Sequence, residues 1–377
     1  MLTRRQAIAG AAAALVAGRA DAAHADGLAL CNLAAAKGIL YGSCVMAAQL
    51  AAKDDFTALL QQQCAVLVPE NEMKWQWMSH RPREEDFSVP DRIVGFAARH
   101  RLAIRGHNLL WYWQTPDWFK ALPDRASAER AMVERVTAMC RRYRGRVFCW
   151  DVVNEPIYVE HGRADALRRT VFLDQIGPDY LDLAYHAARV ADPAAALVVN
   201  EYGILYDTPE EEQKRSAVLR LLERMRRKGT PVDALGVEAH LDAGGAPFSA
   251  KKLRHFFADV ASLGLELQIT ELDVTDEHAP APIAPRDQMV AEAYRQFLDA
   301  ALAEPAVTVL VTWGLSDRHS WIVRRECSEA GWRKDGLPPR PLPFDAGLQP
   351  KPGWYALASA LEGAPLRAAS RFLPQRA

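Results

Sequence analysis

A closed (β/α)8 barrel in one domain is the fold the sequence predicts, on three observations. Short apolar runs alternate with longer amphipathic stretches from about residue 38 onward, eight such units fit within roughly 350 residues, and no linker divides them. The apolar runs are GILYGSCV, AVLVPEN, LAIRGHNLLW, VFCWDVVNEP, ALVVNEYG, ALGVEAHL, ELQITELDV and VTVLVTWGL. Each is rich in β-branched or aromatic residues and bounded by polar or turn residues, which is a strand pattern. Between them, DDFTALLQQQC, AERAMVERVTAMCRRYRG, DYLDLAYHAARVAD, EEEQKRSAVLRLLERMRRKG and RDQMVAEAYRQFLDAALAE repeat apolar residues every three to four positions. Several end in Lys, Arg or Gly, as helices do. An open doubly wound sheet is the competitor, but no G-x-G-x-x-G follows the first strand. After the eighth run comes a Pro-rich loop and then a last helix.

Ahead of the barrel, MLTRRQAIAGAAAALVAG has a basic start and an apolar run too short to span a bilayer. Arg4 and Arg5 resemble the pair of a twin-arginine export signal, and AHA at 23–25 offers a cleavage site after Ala25. An ordinary secretory signal is the alternative; both export the protein to the periplasm or beyond. Residues 1–25 are therefore expected to be a leader and 26–377 the folded domain. No later run is long enough for a membrane span.

Charge and cysteines narrow the function classes. The 46 Lys and Arg nearly balance the 47 Asp and Glu, for a net charge of −1, so no nucleic-acid or anionic-membrane partner is expected. Cys31, Cys44, Cys64, Cys140, Cys149 and Cys327 form no C-x-x-C and no Cys/His cluster, so neither a metal nor another cofactor is expected. Cys64, Cys140 and Cys149 sit among apolar residues as core thiols; Cys31 and Cys44 are the candidate disulfide pair, in an order the sequence alone does not establish.

The chemistry collects at the C-terminal ends of the strands. Strand two ends on Glu70, Asn71 and Lys74; strand three on His107, Asn108, Trp111 and Gln114; strand four on Asn154 and Glu155. Strand five gives Asn200, Glu201 and Tyr202, strand six Glu238 and His240, strand seven Glu271 and Asp273, and strand eight Trp313 and Asp317. In a (β/α)8 barrel these ends converge on one face, where active sites lie. Strands four and seven stand on opposite sides of the ring, so Glu155 and Glu271 should face each other across its mouth. Hydrolysis of a glycosidic bond needs such a pair, one carboxyl to protonate the leaving oxygen and one to attack or to activate water. Residues two apart on a strand share a face, so His240 could bond Glu271 and be oriented by Asp273. Trp111, Trp113, Trp118, Trp313, Trp321 and Trp332 lie at or beyond strand ends, where flat indole faces suit sugar rings. Trp113, Trp118 and Trp332 are expected to be core edge instead.

WDVVNEP, ITELDV, PENEMKW, RGHNLLW and TWGLSDRHSW together resemble glycoside hydrolase family ten, the retaining endo-β-1,4-xylanases, in that family's motif order from about residue 38 to 360. The resemblance implies that xylan or a xylo-oligosaccharide is the substrate, that no cofactor takes part, and that the enzyme acts as a monomer. It implies Glu155 as acid/base, Asn154 bonding the sugar 2-hydroxyl, and Glu271 as nucleophile supported by His240 and Asp273. Glu70, Asn71, Lys74, His107, Trp111 and Gln114 would bind the glycone side, Trp313 and Trp321 would close around the reaction centre, and Tyr202 and Glu238 would contact substrate. The sequence departs from the pattern in three places. Asn200-Glu201-Tyr202-Gly203 stands for Asn-Asp-Tyr-Asn, Tyr112 replaces a histidine, and Glu238 replaces a glutamine, adding a third carboxylate. A β-glycosidase of the same barrel clan acting on glucans or aryl glycosides, and a non-catalytic sugar-binding barrel, are the alternatives.

Overall fold

A computed structural model describes residues 28–52, 54–324, 332–368 and 370–373. The proposed leader and Cys327 lie outside the described residues. Eight parallel strands form the barrel: β1 (Leu40–Val45), β2 (Val66–Pro69), β3 (Ala103–Gly106), β4 (Val147–Asn154), β5 (Ala196–Glu201), β6 (Ala234–Val237), β7 (Glu266–Thr275) and β8 (Val307–Thr312). Each pairs with the next in sequence, and β8 closes the ring on β1 through Leu40↔Val309 and Ser43↔Thr312. Both faces of such a sheet are covered, which is why β1, β2, β5, β6 and β8 are buried along their whole length and read as continuous apolar runs.

The helices are stopped and started by the residues that physical chemistry favours there. Asp54 caps the helix Asp55–Gln63 by accepting from the Thr57 amide, and Asp124 caps Arg125–Arg142 by accepting from that of Ser127 at 2.7 Å. Pro209–Lys228 opens on Thr208 as cap and Pro209 in its first turn, carries Glu210, Glu211 and Glu212 at its positive end, and finishes on Arg226, Arg227 and Lys228 before Gly229. Two further helices, Ser88–Arg99 and Ala250–Ser262, cover β3 and β7, and Pro352–Gly363 packs on Ile283–Ala301.

Two of the expected strands are interrupted. The run through LAIRGHNLLW leaves the ladder after Gly106 and resumes at Leu110–Trp111 beside Val153 and Asn154; ALGVEAHL breaks after Val237 and resumes at His240–Asp242 beside β7. Both breaks fall where the chain delivers polar side chains to the mouth: His107 and Asn108 in one, Glu238 in the other. Inside the barrel the core is partly ionic. Arg105 makes two hydrogen bonds of 2.5 Å to Asp151 and a third of 3.0 Å to Gln268, all fully buried. Asp151 therefore belongs to the barrel's interior layer and not to its mouth.

The cysteine expectation is corrected. Cys44 is a buried free thiol, as are Cys64, Cys140 and Cys149, so no Cys31–Cys44 disulfide forms.

Candidate active site

The ends of the strands bring the expected residues together at one end of the barrel. Glu155, immediately after β4, has φ +54°, a left-handed backbone that a non-glycine residue adopts at a cost. It is held there from both sides: its amide donates to the Asn200 carbonyl at 2.8 Å, and its own carbonyl accepts from Arg168 Nε at 2.8 Å. Asn154 Nδ2 donates to Glu155 Oε1 at 3.1 Å. Arg168 Nη2 lies 3.7 Å from Glu155 Oε2 and donates to the Tyr202 hydroxyl at 2.9 Å, while the guanidinium stacks on the Tyr112 ring at 4.2 Å.

On the opposite wall Glu271 sits in β7 with His240 Nε2 3.4 Å from its Oε2. His240 Nδ1 is bonded to Asp273 at 2.7 Å, and the other Asp273 oxygen accepts from Trp321 Nε1 at 2.7 Å. The Asp273–His240–Glu271 chain expected from spacing along the strands is thus present, although the sixth strand is broken between Glu238 and His240.

Asn200 joins the two walls. Its Nδ2 lies 2.9 Å from Asn154 Oδ1 and 2.8 Å from both Glu238 Oε1 and Glu271 Oε1, and its Oδ1 accepts from Thr270 at 2.8 Å. A Cβ at Gly236 would lie 2.1 Å from Asn200 Oδ1, so only glycine lets this amide lie flat against β6. Asn200 and Arg168 are the functional candidates that sequence reasoning did not single out as site residues. Asn200 was visible only as a polar strand end; Arg168 falls in the charged loop after β4, where nothing marks it as buried.

The electrostatics of the two carboxyls diverge. Burial and the charge of Glu201 push Glu155 up to about 7, against the opposing pull of Arg168. Burial acts on Glu271 in the same sense, but the hydrogen bond from His240 and the nearby His107 and Lys74 outweigh it and hold that carboxyl down at about 2. Burial, then Glu271 and Glu155, push Glu238 well above the carboxylate range. No ion pair joins Glu238 to an Arg or Lys among the described residues; its hydrogen bond is from Asn200. The third carboxylate is therefore part of the cluster. Burial disfavours the charged form of His240, but Asp273 and Glu271 more than compensate and raise it.

The remaining predicted residues line the cleft. Asn71 donates to Glu70 at 3.2 Å, Lys74 donates to Asn71 at 3.2 Å, and Lys74 Nζ stands 4.6 Å over the Trp111 ring. Arg324 pairs with Glu70. His107 bonds Asp151 at 2.9 Å and meets Trp313 edge to face at 5.2 Å. Trp111 Nε1, Gln114 Oε1 and Asn108 Oδ1 are buried polar atoms without a protein hydrogen-bond partner, which is a demand for outside hydroxyls. Lys214 lies 2.7 Å from Glu201 and 3.5 Å over the Tyr202 ring, and Gly203 beside it has φ +64°. Asp317 does not reach the cleft; it pairs with Lys351 at 2.8 Å and anchors the last loop. Trp118 and Trp332 are half-buried, but Trp113 is 68% exposed and is not core edge. As to metals, Glu238, His240 and Glu271 present three ligand atoms within 4.8 Å of one another, all within this cluster.

Two carboxyls on facing strands of a (β/α)8 barrel, one held as an acid and one as an anion, set in a cleft walled by indoles and unpartnered polar atoms, put the chain among the two-carboxylate barrel hydrolases. The comparisons narrow the class. The chain belongs to glycosyl hydrolase family 10, whose model matches residues 29–360. Endo-1,4-beta-xylanase C of Paenibacillus barcinonensis is 32% identical over 344 residues, a match covering 84% of this chain but only 30% of that longer protein. Endo-1,4-beta-xylanase 3 of Hypocrea jecorina is 29% identical over 326 residues, covering 86% of this chain and 84% of the relative. Xylanase 10B from Thermotoga petrophila RKU-1, solved in complex with xylobiose, superposes with a TM-score of 0.79 at 27% identity, covering 89% of this chain and 97% of that one.

Proposed function

We propose that this protein is an endo-acting hydrolase of the β-1,4-xylosidic bonds of xylan, working by double displacement with retention. The observation that carries the reading is the Glu155–Glu271 pair, linked through Asn154 and Asn200 yet pushed to opposite protonation states. Glu155 is the acid: at about 7 it still holds a proton at neutral or acid pH and gives it to the glycosidic oxygen as that bond breaks. Glu271, at about 2, is an anion ready to bond the anomeric carbon as the leaving sugar departs. In the second step Glu155, now ionised, takes a proton from water, the water oxygen bonds the anomeric carbon, and Glu271 leaves. The same carboxyl serves as acid and then as base, which a value near the working pH permits.

The other residues hold this pair in place. Asp273 fixes His240, and His240 orients the Glu271 carboxylate. Asn154 is placed beside Glu155 to meet the sugar 2-hydroxyl. Glu70, Asn71, Lys74, His107, Trp111 and Gln114 bind one side of the substrate, with Tyr202 and Glu238 near the acid and Trp313 and Trp321 around the reaction centre. No cofactor enters the scheme. Export belongs to the same proposal, since the substrate is a polymer outside the cell: residues 1–25 would be removed after Ala25, releasing a monomer to the periplasm or medium. The N-terminal sequence of the mature protein and its mass in solution test that part.

Incubation with xylan and with cellulose, followed by sizing of the products, tests the activity. Early release of mixed xylo-oligosaccharides from xylan is the expected result. Preferential release from cellulose would move the assignment to a glucanase, and no turnover on either, with binding intact, would leave a sugar-binding barrel.

A further inference from the structure

Of the large apolar side chains exposed among the described residues, two are tryptophans: Trp113 at 68% and Trp77 at 55%. A freely exposed indole is uncommon on a soluble surface unless something flat meets it. Both belong to segments that build one wall of the cleft. Trp77 follows Lys74 in the short helix Trp75–Met78, Trp113 precedes Gln114, and the Gln76 amide donates to the Gln114 carbonyl at 3.0 Å, tying the segments together. Trp113 is also continuous with the site: its ring lies 6.5 Å from that of Trp111 at an interplanar angle of 25°, and Trp111 carries Lys74 Nζ above it. One indole is thus half-buried at the site and the next, nearly parallel to it, is open.

We propose that Trp113, with Trp77 on the same wall, forms a distal sugar-stacking position that holds a β-1,4-linked xylopyranosyl residue of a long chain, beyond the sugars in contact with Lys74 and Trp111. The inference rests on the xylan reading above. A pyranose ring in an unbranched β-linked chain presents a flat C–H face of the size of an indole, which is the surface Trp113 leaves open. A sugar stacked there lies beyond the one whose bond is broken, so the contact adds to binding of long substrates and leaves the chemical step alone. Its length dependence follows: a substrate too short to reach Trp113 gains nothing from it.

Trp113→Ala and Trp77→Ala test this, because an exposed indole supports little of the fold. Initial rates are compared on an aryl xyloside carrying one sugar, on xylotriose, on xylohexaose and on soluble unsubstituted xylan. For Trp113→Ala we expect kcat/KM to fall about three- to tenfold on xylohexaose and xylan, through KM, with the aryl xyloside changed less than twofold. Trp77→Ala should show the same pattern more weakly. An equal loss at all chain lengths would mean a structural effect on the cleft and would overturn the proposal, as would no loss at any length. A lower mass in solution for Trp113→Ala than for the unaltered protein would overturn it too, by assigning the indole to contact with a second copy of the chain. Titration of xylohexaose against tryptophan fluorescence separates this test from that of the activity. If the protein binds xylohexaose without cleaving it and Trp113→Ala weakens that binding, the hydrolase reading fails and the stacking position stands.

Discussion

Asn200 donates from β5 to Glu271 in β7 at 2.8 Å, reaching across β6 over Gly236. The same amide meets Asn154 and Glu238, so one uncharged side chain sets the spacing of both carboxylate walls. Asn200→Ala removes these bonds and leaves the Thr270 hydroxyl without its partner. We expect kcat to fall by about ten- to a hundredfold with a smaller change in KM, as when a single polar donor at a reaction centre is lost. A rise in KM alone would show that Asn200 acts on substrate and not on the pair.

Removing the carboxyls one at a time separates their roles. Glu271→Ala should abolish turnover on every substrate. Glu155→Ala should spare the first step on an aryl glycoside with a good leaving group, which needs little protonation, and slow the second, so that a burst of released phenol precedes a slow steady state. Equal loss on good and poor leaving groups, with no burst, would reverse the assignment.

Much of this arrangement was legible in the chain. The eight strands and their polar ends follow from period and composition, because strands buried on both faces must be apolar until they reach the mouth. Contacts that depend on long-range placement were not. Arg168 reads as one more charge in a loop, and only the folded chain brings its guanidinium under Tyr112 and onto the Glu155 carbonyl. Asp151 and Glu155 look alike at the end of one strand, yet the first meets Arg105 inside the barrel. Trp113 looks like core edge because its neighbours Trp111 and Thr115 are drawn inward, while its own side chain stays outside.

The pH profile of kcat/KM should be set by Glu155 and Glu271. The proposed roles require protonated Glu155 and ionised Glu271, so the alkaline limb should fall near 7 and the acid limb near 2, where unfolding permits it to be seen. Arg168 favours ionised Glu155. Arg168→Gln removes that opposing charge, so the acid should keep its proton to higher pH and the alkaline limb should move up. A limb that stays in place, with the melting temperature unchanged, would remove Arg168 from the titration.

Glu238 tests the same cluster from the other side. It has no Arg or Lys partner among the described residues, and burial, Glu271 and Glu155 push it upward against the opposing pull of His240. Glu238→Gln keeps the shape and the bond to Asn200, and it replaces a carboxyl held in its neutral form by a neutral amide. Activity should survive within about threefold, and the alkaline limb should stay near 7. A limb that moves to lower pH would show that Glu238 is ionised in the working enzyme and raises Glu155 by its charge.

The barrel's inner ion pair carries stability, and its Asp151 also holds His107 at the edge of the site. Asp151→Ala leaves the Arg105 guanidinium buried without its two short bonds, which should cost about 3–5 kcal/mol of folding free energy. Denaturant unfolding reads this directly; a loss under about 1 kcal/mol would mean that Gln268 and water suffice for Arg105.

Double displacement through Glu271 is the centre of the account, and the anomeric form of the first product tests it most directly. Proton NMR during the first minutes of hydrolysis of a β-linked xylo-oligosaccharide distinguishes the newly released β-anomer from the α-anomer before mutarotation mixes them. Retention requires the β-anomer to appear first and the α-anomer to grow in later. Initial release of the α-anomer would mean that water attacks in a single step, and that Glu271 acts as a base and never bonds the sugar.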